Sequence, residues 1–239
     1  MSYGKTIVMN DISFNVKAGE IFLIIGESGC GKSTLLKHMI GLKPTNQGVV
    51  FYDGADFINI LNDSDKPLAT RFGVLYQSGA LWSSMTLVEN IALVLEEFTN
   101  LTKSEIKEAV NMKLSLVGLE NHGHLYPSEI SGGMRKRAGL ARAIALNPDI
   151  LFLDEPSAGL DPISANNLDN LILKLRKTLG TTMLIVTHDL HSIFAIGDNA
   201  MYLDADSKTV LAIGSPNQLL ENFHTKVKYF LSRGMLNDK

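Results

Sequence analysis

One cysteine, one tryptophan and seven prolines are all that 239 residues hold of those types. A lone thiol, Cys30, excludes an intrachain disulfide framework and fits a reducing compartment. No stretch offers the ~18–20 uninterrupted apolar residues of a membrane span, and the opening MSYGKTIVMN lacks the apolar core of a secretory signal. Contact with a membrane is therefore expected through the surface or through a partner protein, with the cytoplasm as the default setting. Neither sign of charge dominates: 22 basic and 25 acidic residues leave −3, which argues for no nucleic-acid partner. Repeats, low-complexity tracts and long charge runs are absent too. What is present is an apolar fraction of 45%, enough for one large α/β domain or one domain with an inserted part.

Short unbroken apolar runs stand at EIFLIIG (20–26), DILFLD (149–154) and MLIVTH (183–188), with RFGVLY (71–76) as a further candidate. Runs of this length, bounded by turn or polar residues, predict strands buried on both faces of a parallel sheet. Helical patterns lie between them, so the expected class is α/β with crossover helices. Residues 79–147 differ, with two T-x-x-E capping boxes, Thr86 to Glu89 and Thr102 to Glu105, each opening a helical run. This stretch is expected to be a mainly helical insert between 1–78 and 148–239.

GESGCGKST (26–34) follows the first apolar run and precedes a helical one, the context that a G-x-x-x-x-G-K-S phosphate loop requires. Gly26, Gly29 and Gly31 let the backbone curl so that its N–H groups face phosphates, and the next helix adds its positive end. Lys32 is expected on the β- and γ-phosphates and the Ser33 hydroxyl on Mg²⁺. A second signal is ILFLDEPSAGLD (150–161), where a strand ends in adjacent carboxylates. Asp154 fits a direct or indirect Mg²⁺ partner, and Glu155, one residue further out, a general base polarising the attacking water. His188 and Gln77 also follow apolar runs, where parallel sheets present ligand contacts. His188 is expected on the γ-phosphate, and Gln77 on Mg²⁺ or the water.

The remaining anomaly is EISGGMRKRAGLARAIAL (129–146), which reads as a helix from Met134 onward yet is entered through Ser131-Gly132-Gly133. Glycine costs about 1 kcal/mol against alanine in a helix, and Arg135, Lys136 and Arg137 oppose the dipole at that end. Two local rules broken at one spot mark a functional place.

Taken in order, the phosphate loop, Gln77, ISGGM, Asp154-Glu155, SAGLD and His188 resemble the ATP-binding cassette (ABC) ATPases over essentially the whole chain. The resemblance implies a P-loop NTPase core, RecA-like with an N-terminal β part, and an inserted helical subdomain carrying the signature motif. It implies ATP as substrate, Mg²⁺ as cofactor, and a head-to-tail dimer with ATP between the phosphate loop of one copy and the signature of the other. The loop residues Gly26, Glu27, Ser28, Gly29, Cys30, Gly31, Lys32, Ser33 and Thr34 would then meet ATP from one copy, and Ser131, Gly132, Gly133 and Met134 from the other. The basic residues beside the signature would lie near the nucleotide. Tyr3 matches the aromatic that stacks on adenine, Asp161 the D-loop and His188 the switch histidine; Ser33, Gln77 and Asp154 match the metal set. Met134 in place of the usual signature glutamine, with YQSGALWSSMTLVENIAL (76–93), resembles the branch that powers Mla or MCE-type phospholipid transport.

For that branch the implied partners are an integral membrane permease and an MCE lipid-binding protein, with the chain peripheral on the cytoplasmic face of the inner membrane. The stretch 78–100, with Trp82 in GALWSSM, is read as the permease dock; the other reading puts Trp82 and Leu81 in the core of the insert. An importer ATPase for a polar solute has the same enzymology and stays open. A non-transport ABC role fits less well, because the coiled-coil insertion or second cassette of such proteins has no counterpart in these residues.

Overall fold

The structure, a computed structural model, describes all residues except 1, 4–5, 44–46, 57–67, 223 and 233–239, with backbone alone at 2–3, 6–7, 68–69 and 222. Two small antiparallel pairs, β1 (Ser2–Tyr3) with β2 (Thr6–Ile7) and β4 (Phe51–Tyr52) with β5 (Ala55–Asp56), are separate from a six-stranded sheet. That sheet comprises β3 (Ile21–Gly26), β6 (Phe72–Leu75), β7 (Ile150–Asp154), β8 (Thr182–Val186), β9 (Asn199–Leu203) and β10 (Val210–Gly214). Its order is β10-β9-β3-β8-β7-β6, parallel throughout except for β10 at one edge. The four apolar runs thus form adjacent parallel strands, β3-β8-β7-β6.

Their unbroken apolarity has a direct cause. Successive side chains of a strand point to opposite faces, and both faces of this sheet are covered. Ile21, Leu23 and Ile25 of β3 join one core cluster, Phe22 and Ile24 another. On the second face lies α1 (Lys32–Met39), packed through Leu35, Leu36 and Met39. On the first lie α6 (Pro162–Leu179), α7 (Leu190–Ile196), α8 (Pro216–Asn222) and α9 (Thr225–Ser232); the short α2 (Leu68–Arg71) leads into β6.

A third cluster is built by α3 (Leu87–Phe98), α4 (Lys103–Leu116) and α5 (Gly132–Ala143). Both capping boxes form as the spacing predicts, with Thr86 and Thr102 accepting from the N–H of Glu89 and Glu105. α5 belongs to two clusters at once: Leu140 and the following Ile144 pack on the sheet, Ala138 and Ala141 on the other helices. It begins two residues earlier than the sequence suggests, because Ser131 acts as N-cap, its hydroxyl accepting the Met134 N–H at 3.2 Å, so both glycines lie in the first turn. Gly139 lets α5 approach closely, since a Cβ there would lie 2.8 Å from Leu75 and 2.9 Å from the Gly79 carbonyl.

Candidate nucleotide site

The loop between β3 and α1 is shaped by its glycines. Gly26 has φ +146°, and a Cβ there would stand 2.4 Å from the Leu203 carbonyl, so no other residue fits without shifting β9. Gly31 is the N-cap of α1, left-handed at φ +99° and without a side-chain cap; the first turn carries no acid, while Lys37 and His38 sit in the last. Helix N–H groups without a side-chain acceptor, at the positive end of the dipole, make a place for an anion. Lys32 is buried, and its ammonium donates to the carbonyls of Gly26 and Glu27 at 2.8 Å each, folding back over the loop.

Ser33 donates its hydroxyl to Asp154 Oδ1 at 2.9 Å, which joins the loop to the end of β7. Beyond Asp154 the chain turns sharply at Glu155, a non-glycine residue at φ +49° whose N–H still donates to the Val186 carbonyl at 2.9 Å. The Glu155 carboxylate meets His188 Nδ1 at 2.8 Å; the carboxylate is mostly buried and the imidazole mostly exposed. Gln77, in the turn after β6, faces the same cleft.

That cleft, of about 980 Å³, is lined by the loop residues, Gln77, Glu155 and His188. Val8, Leu190 and Phe230 supply an apolar wall that sequence reasoning missed. Apolar residues on distant elements carry no local signal of such a role. Cys30 departs from expectation. Its side chain is buried in the core cluster under the loop, 2% exposed, and burial pushes its thiol pKa up against the lowering pull of Lys32, so only its backbone is on the loop path. Tyr3 lies in β1, but its side chain is outside the described residues.

The signature residues do not line this cleft. Ser131 and Gly132 are exposed, and Gly133 and Met134 partly so. A Cβ on Gly132 or Gly133 would make only ordinary contacts, at 3.8 Å from Leu160 or Ser164, so nothing among the described residues requires either glycine. Asp161 is likewise outside the cleft. It caps α6, accepting the Ser164 N–H at 3.0 Å, and these hydrogen bonds hold its carboxyl below the usual range.

The three cations after the signature, expected near nucleotide, are held in three different ways. Arg137 donates to the carbonyls of Val117 and Gly118, at 3.0 and 3.1 Å, closing the C-terminal end of α4. Lys136 is buried, with its ammonium on the carbonyls of Gln77 and Glu155. Arg135 alone is exposed. Asn90 was not foreseen. Fully buried, its amide accepts from the Trp82 N–H at 2.7 Å and donates to the carbonyls of Trp82, Met85 and Thr86, fixing the segment after Gln77. The two readings of that segment divide: Leu81 packs on the helical cluster, and Trp82 is 60% exposed.

As a metal site, the donor set of Ser33 hydroxyl, Gln77 amide and Asp154 carboxylate is all oxygen, which suits a hard dication. Among the described residues no group of three or more His, Cys, Asp or Glu side chains would hold a metal alone. The set therefore fits a cation that takes further ligands from substrate phosphates, as Mg²⁺ does.

The family model described as ABC transporter matches residues 9–158. The chain is 41% identical over 228 residues, 95% of its length and 86% of the relative's, to the intermembrane phospholipid transport system ATP-binding protein MlaF of Haemophilus influenzae. It is equally 41% identical over 231 residues to the probable ribonucleotide transport ATP-binding protein mkl of Mycobacterium tuberculosis, covering 97% of this chain and 64% of that one. Among solved structures, the ATP-binding cassette MJ0796, a dimer in a post-hydrolysis state bound to ADP and Pi, superposes with a TM-score of 0.76 at 29% identity, covering 87% of this chain and 90% of that one.

Proposed function

Because the chain belongs to the ABC transporter family, we propose that it is the ATP-hydrolysing motor of a membrane transporter for phospholipid. The observation that carries the motor reading is Glu155, held at φ +49° beside the phosphate loop with its carboxylate on His188. In this reading the loop N–H groups and Lys32 bind the β- and γ-phosphates, Lys32 exchanging the carbonyls of Gly26 and Glu27 for phosphate oxygens. Glu155 takes a proton from the attacking water as that water's oxygen bonds to the γ-phosphorus and the bond to the ADP oxygen breaks, giving ADP and phosphate. His188 keeps the carboxylate aimed and lies within reach of the γ-phosphate. Ser33, Gln77 and Asp154 would hold Mg²⁺, which when bound neutralises phosphate charge.

Two copies are read as pairing head to tail, each signature capping the other's nucleotide. The exposed Gly132-Gly133 start of α5 supports this, since among the described residues nothing needs either glycine, and an exposed helix start offers N–H groups to a γ-phosphate. Among the described residues no helix is long and apolar enough to cross a membrane, so membrane work is assigned to a permease that this chain joins from the cytoplasmic side. A groove of about 420 Å³ lined by Leu42, Phe72, Tyr76, Val94, Arg142 and Leu146, together with exposed Trp82, suits a partner helix. Phospholipid as cargo, and an MCE protein as further partner, follow from the MlaF likeness; the equal identity to mkl favours a polar cargo as the second reading.

Purification from native membranes in mild detergent, with mass spectrometry of bound proteins and lipids, separates the two. A permease with an MCE protein and enriched phospholipid is expected; a permease with a soluble solute-binding protein and no lipid overturns the cargo and leaves the motor. For the motor, Glu155→Gln is expected to bind ATP, stop turnover and trap the dimer, and wild-type turnover in that variant removes Glu155 from the base role.

A further inference from the structure

Of the three cations that open α5, only Lys136 is withdrawn from solvent, at 6% exposure. Among the described residues its ammonium meets no carboxylate oxygen directly. It donates instead to two backbone carbonyls, those of Gln77 and of Glu155, the latter at 3.1 Å. These lie 59 and 19 residues away in sequence, on the loops that leave β6 and β7. Burial lowers the pKa of this ammonium, and the charges of Glu155 and Asp154 oppose that shift. A buried cation is a costly way to satisfy two neutral carbonyls, for which a smaller polar group would serve.

What the cation does for Glu155 accounts for that cost. A non-glycine residue in the left-handed region is strained by roughly 1–3 kcal/mol and keeps that conformation only where its surroundings over-determine it. Besides the His188 contact on its carboxylate, three hydrogen bonds among the described residues hold its backbone: the Glu155 N–H on Val186, the Ala158 N–H on the Glu155 carbonyl at 3.2 Å, and Lys136 on the same carbonyl. Fixing that carbonyl fixes the peptide plane and hence the direction in which the Glu155 side chain leaves the backbone.

We infer that Lys136 is a positioning residue for hydrolysis in its own subunit, clamping the backbone of Gln77 and Glu155 from the helix that Ser131 opens. The inference rests on the Glu155 reading above. It gives α5 two clients: its first residues serve the partner's nucleotide, while its second turn serves the base of the same chain.

Steady-state ATPase kinetics on the Lys136→Met and Lys136→Arg dimers test it first. Lys136→Met is expected to lower kcat about ten- to a hundred-fold, the scale of a small misplacement of a reacting group, with KM for ATP within about three-fold. Lys136→Arg, which keeps the charge and donors, is expected to recover at least roughly a third of the lost rate. A fall in melting temperature with unchanged kcat and KM overturns the inference, as that is what a packing residue would give.

Mixed dimers with two affinity tags supply the second arm, read as a single turnover of bound ATP. If one copy carries Ser131→Arg, the one intact site uses the Lys136 and Glu155 of that copy and the Ser131 of the other. Lys136→Met placed on the Ser131→Arg copy should slow that site by about the same ten- to a hundred-fold; placed on the other copy it should spare it. Equal loss in both arrangements, or the reverse order, overturns the assignment to the same subunit. Full activity at both sites in the parent pair, before Lys136 is touched, refutes the head-to-tail reading instead.

Discussion

At the residue scale the site depends on a few backbone conformations, and these respond unequally to a methyl group. Gly26→Ala drives a Cβ to 2.4 Å from a backbone carbonyl of β9, whereas a Cβ on Gly29 meets nothing within 4 Å and is opposed only by its φ of +80°. Gly26→Ala is therefore expected to lose most nucleotide affinity and Gly29→Ala only a few-fold, the latter reflecting about 1 kcal/mol of backbone strain. Titration of both variants with a fluorescent ATP analogue measures this, and equal affinities contradict the geometry of the loop. The phosphate loop was legible in the sequence because its spacing encodes local backbone shape. So was the acid pair, whose place at the end of an apolar run fixes where it emerges. Lys136 was not, because its acceptors are carbonyls, which leave no mark on sequence, and they sit on other elements. Three adjacent cations read alike until the fold gives one a solvated face, one a helix end and one an interior.

At the element scale, α5 was half legible. Its periodicity was plain, but its start was misread, because the double glycine suggests a break where Ser131 in fact caps the helix. Both T-x-x-E boxes were read correctly, as both partners lie within one turn. The C-terminal helix α9 offers a pH test that no motif announced. Its Lys226 pairs with Asp204, just after β9, and with exposed Asp206. Burial pushes the Asp204 carboxyl up, but Lys226 and the N–H and hydroxyl of Ser207 outweigh burial and hold it at about 2. An acid with a depressed folded-state pKa adds stability above its ordinary 3.8, and that stability is lost as pH falls towards 2. In Lys226→Met the deficit in urea midpoint is expected to be constant from neutral pH to about pH 5, then to shrink as pH passes below 3.8. A deficit that does not change with pH would assign Lys226 to packing rather than charge.

At the scale of the whole molecule, the sheet and its two covered faces followed from four apolar runs, while β9 and β10 lacked an equally clear signature and the apolar wall of Val8, Leu190 and Phe230 had none. The helix after Asp161 and the helix after His188 are also tied, since Ser192 donates to the buried carboxylate of Asp169 at 2.8 and 3.0 Å. The segment after Gln77 is fixed in place by Asn90 with its indole turned outward. That gives the chain a built-in optical reporter: it has one tryptophan, and that residue is 60% exposed on the face proposed for the permease. Its emission should be red-shifted and readily quenched by iodide in the isolated chain, then move to the blue and resist quenching once a partner covers that face. Nucleotide added to the isolated chain should change it little, so fluorescence follows docking separately from ATP loading.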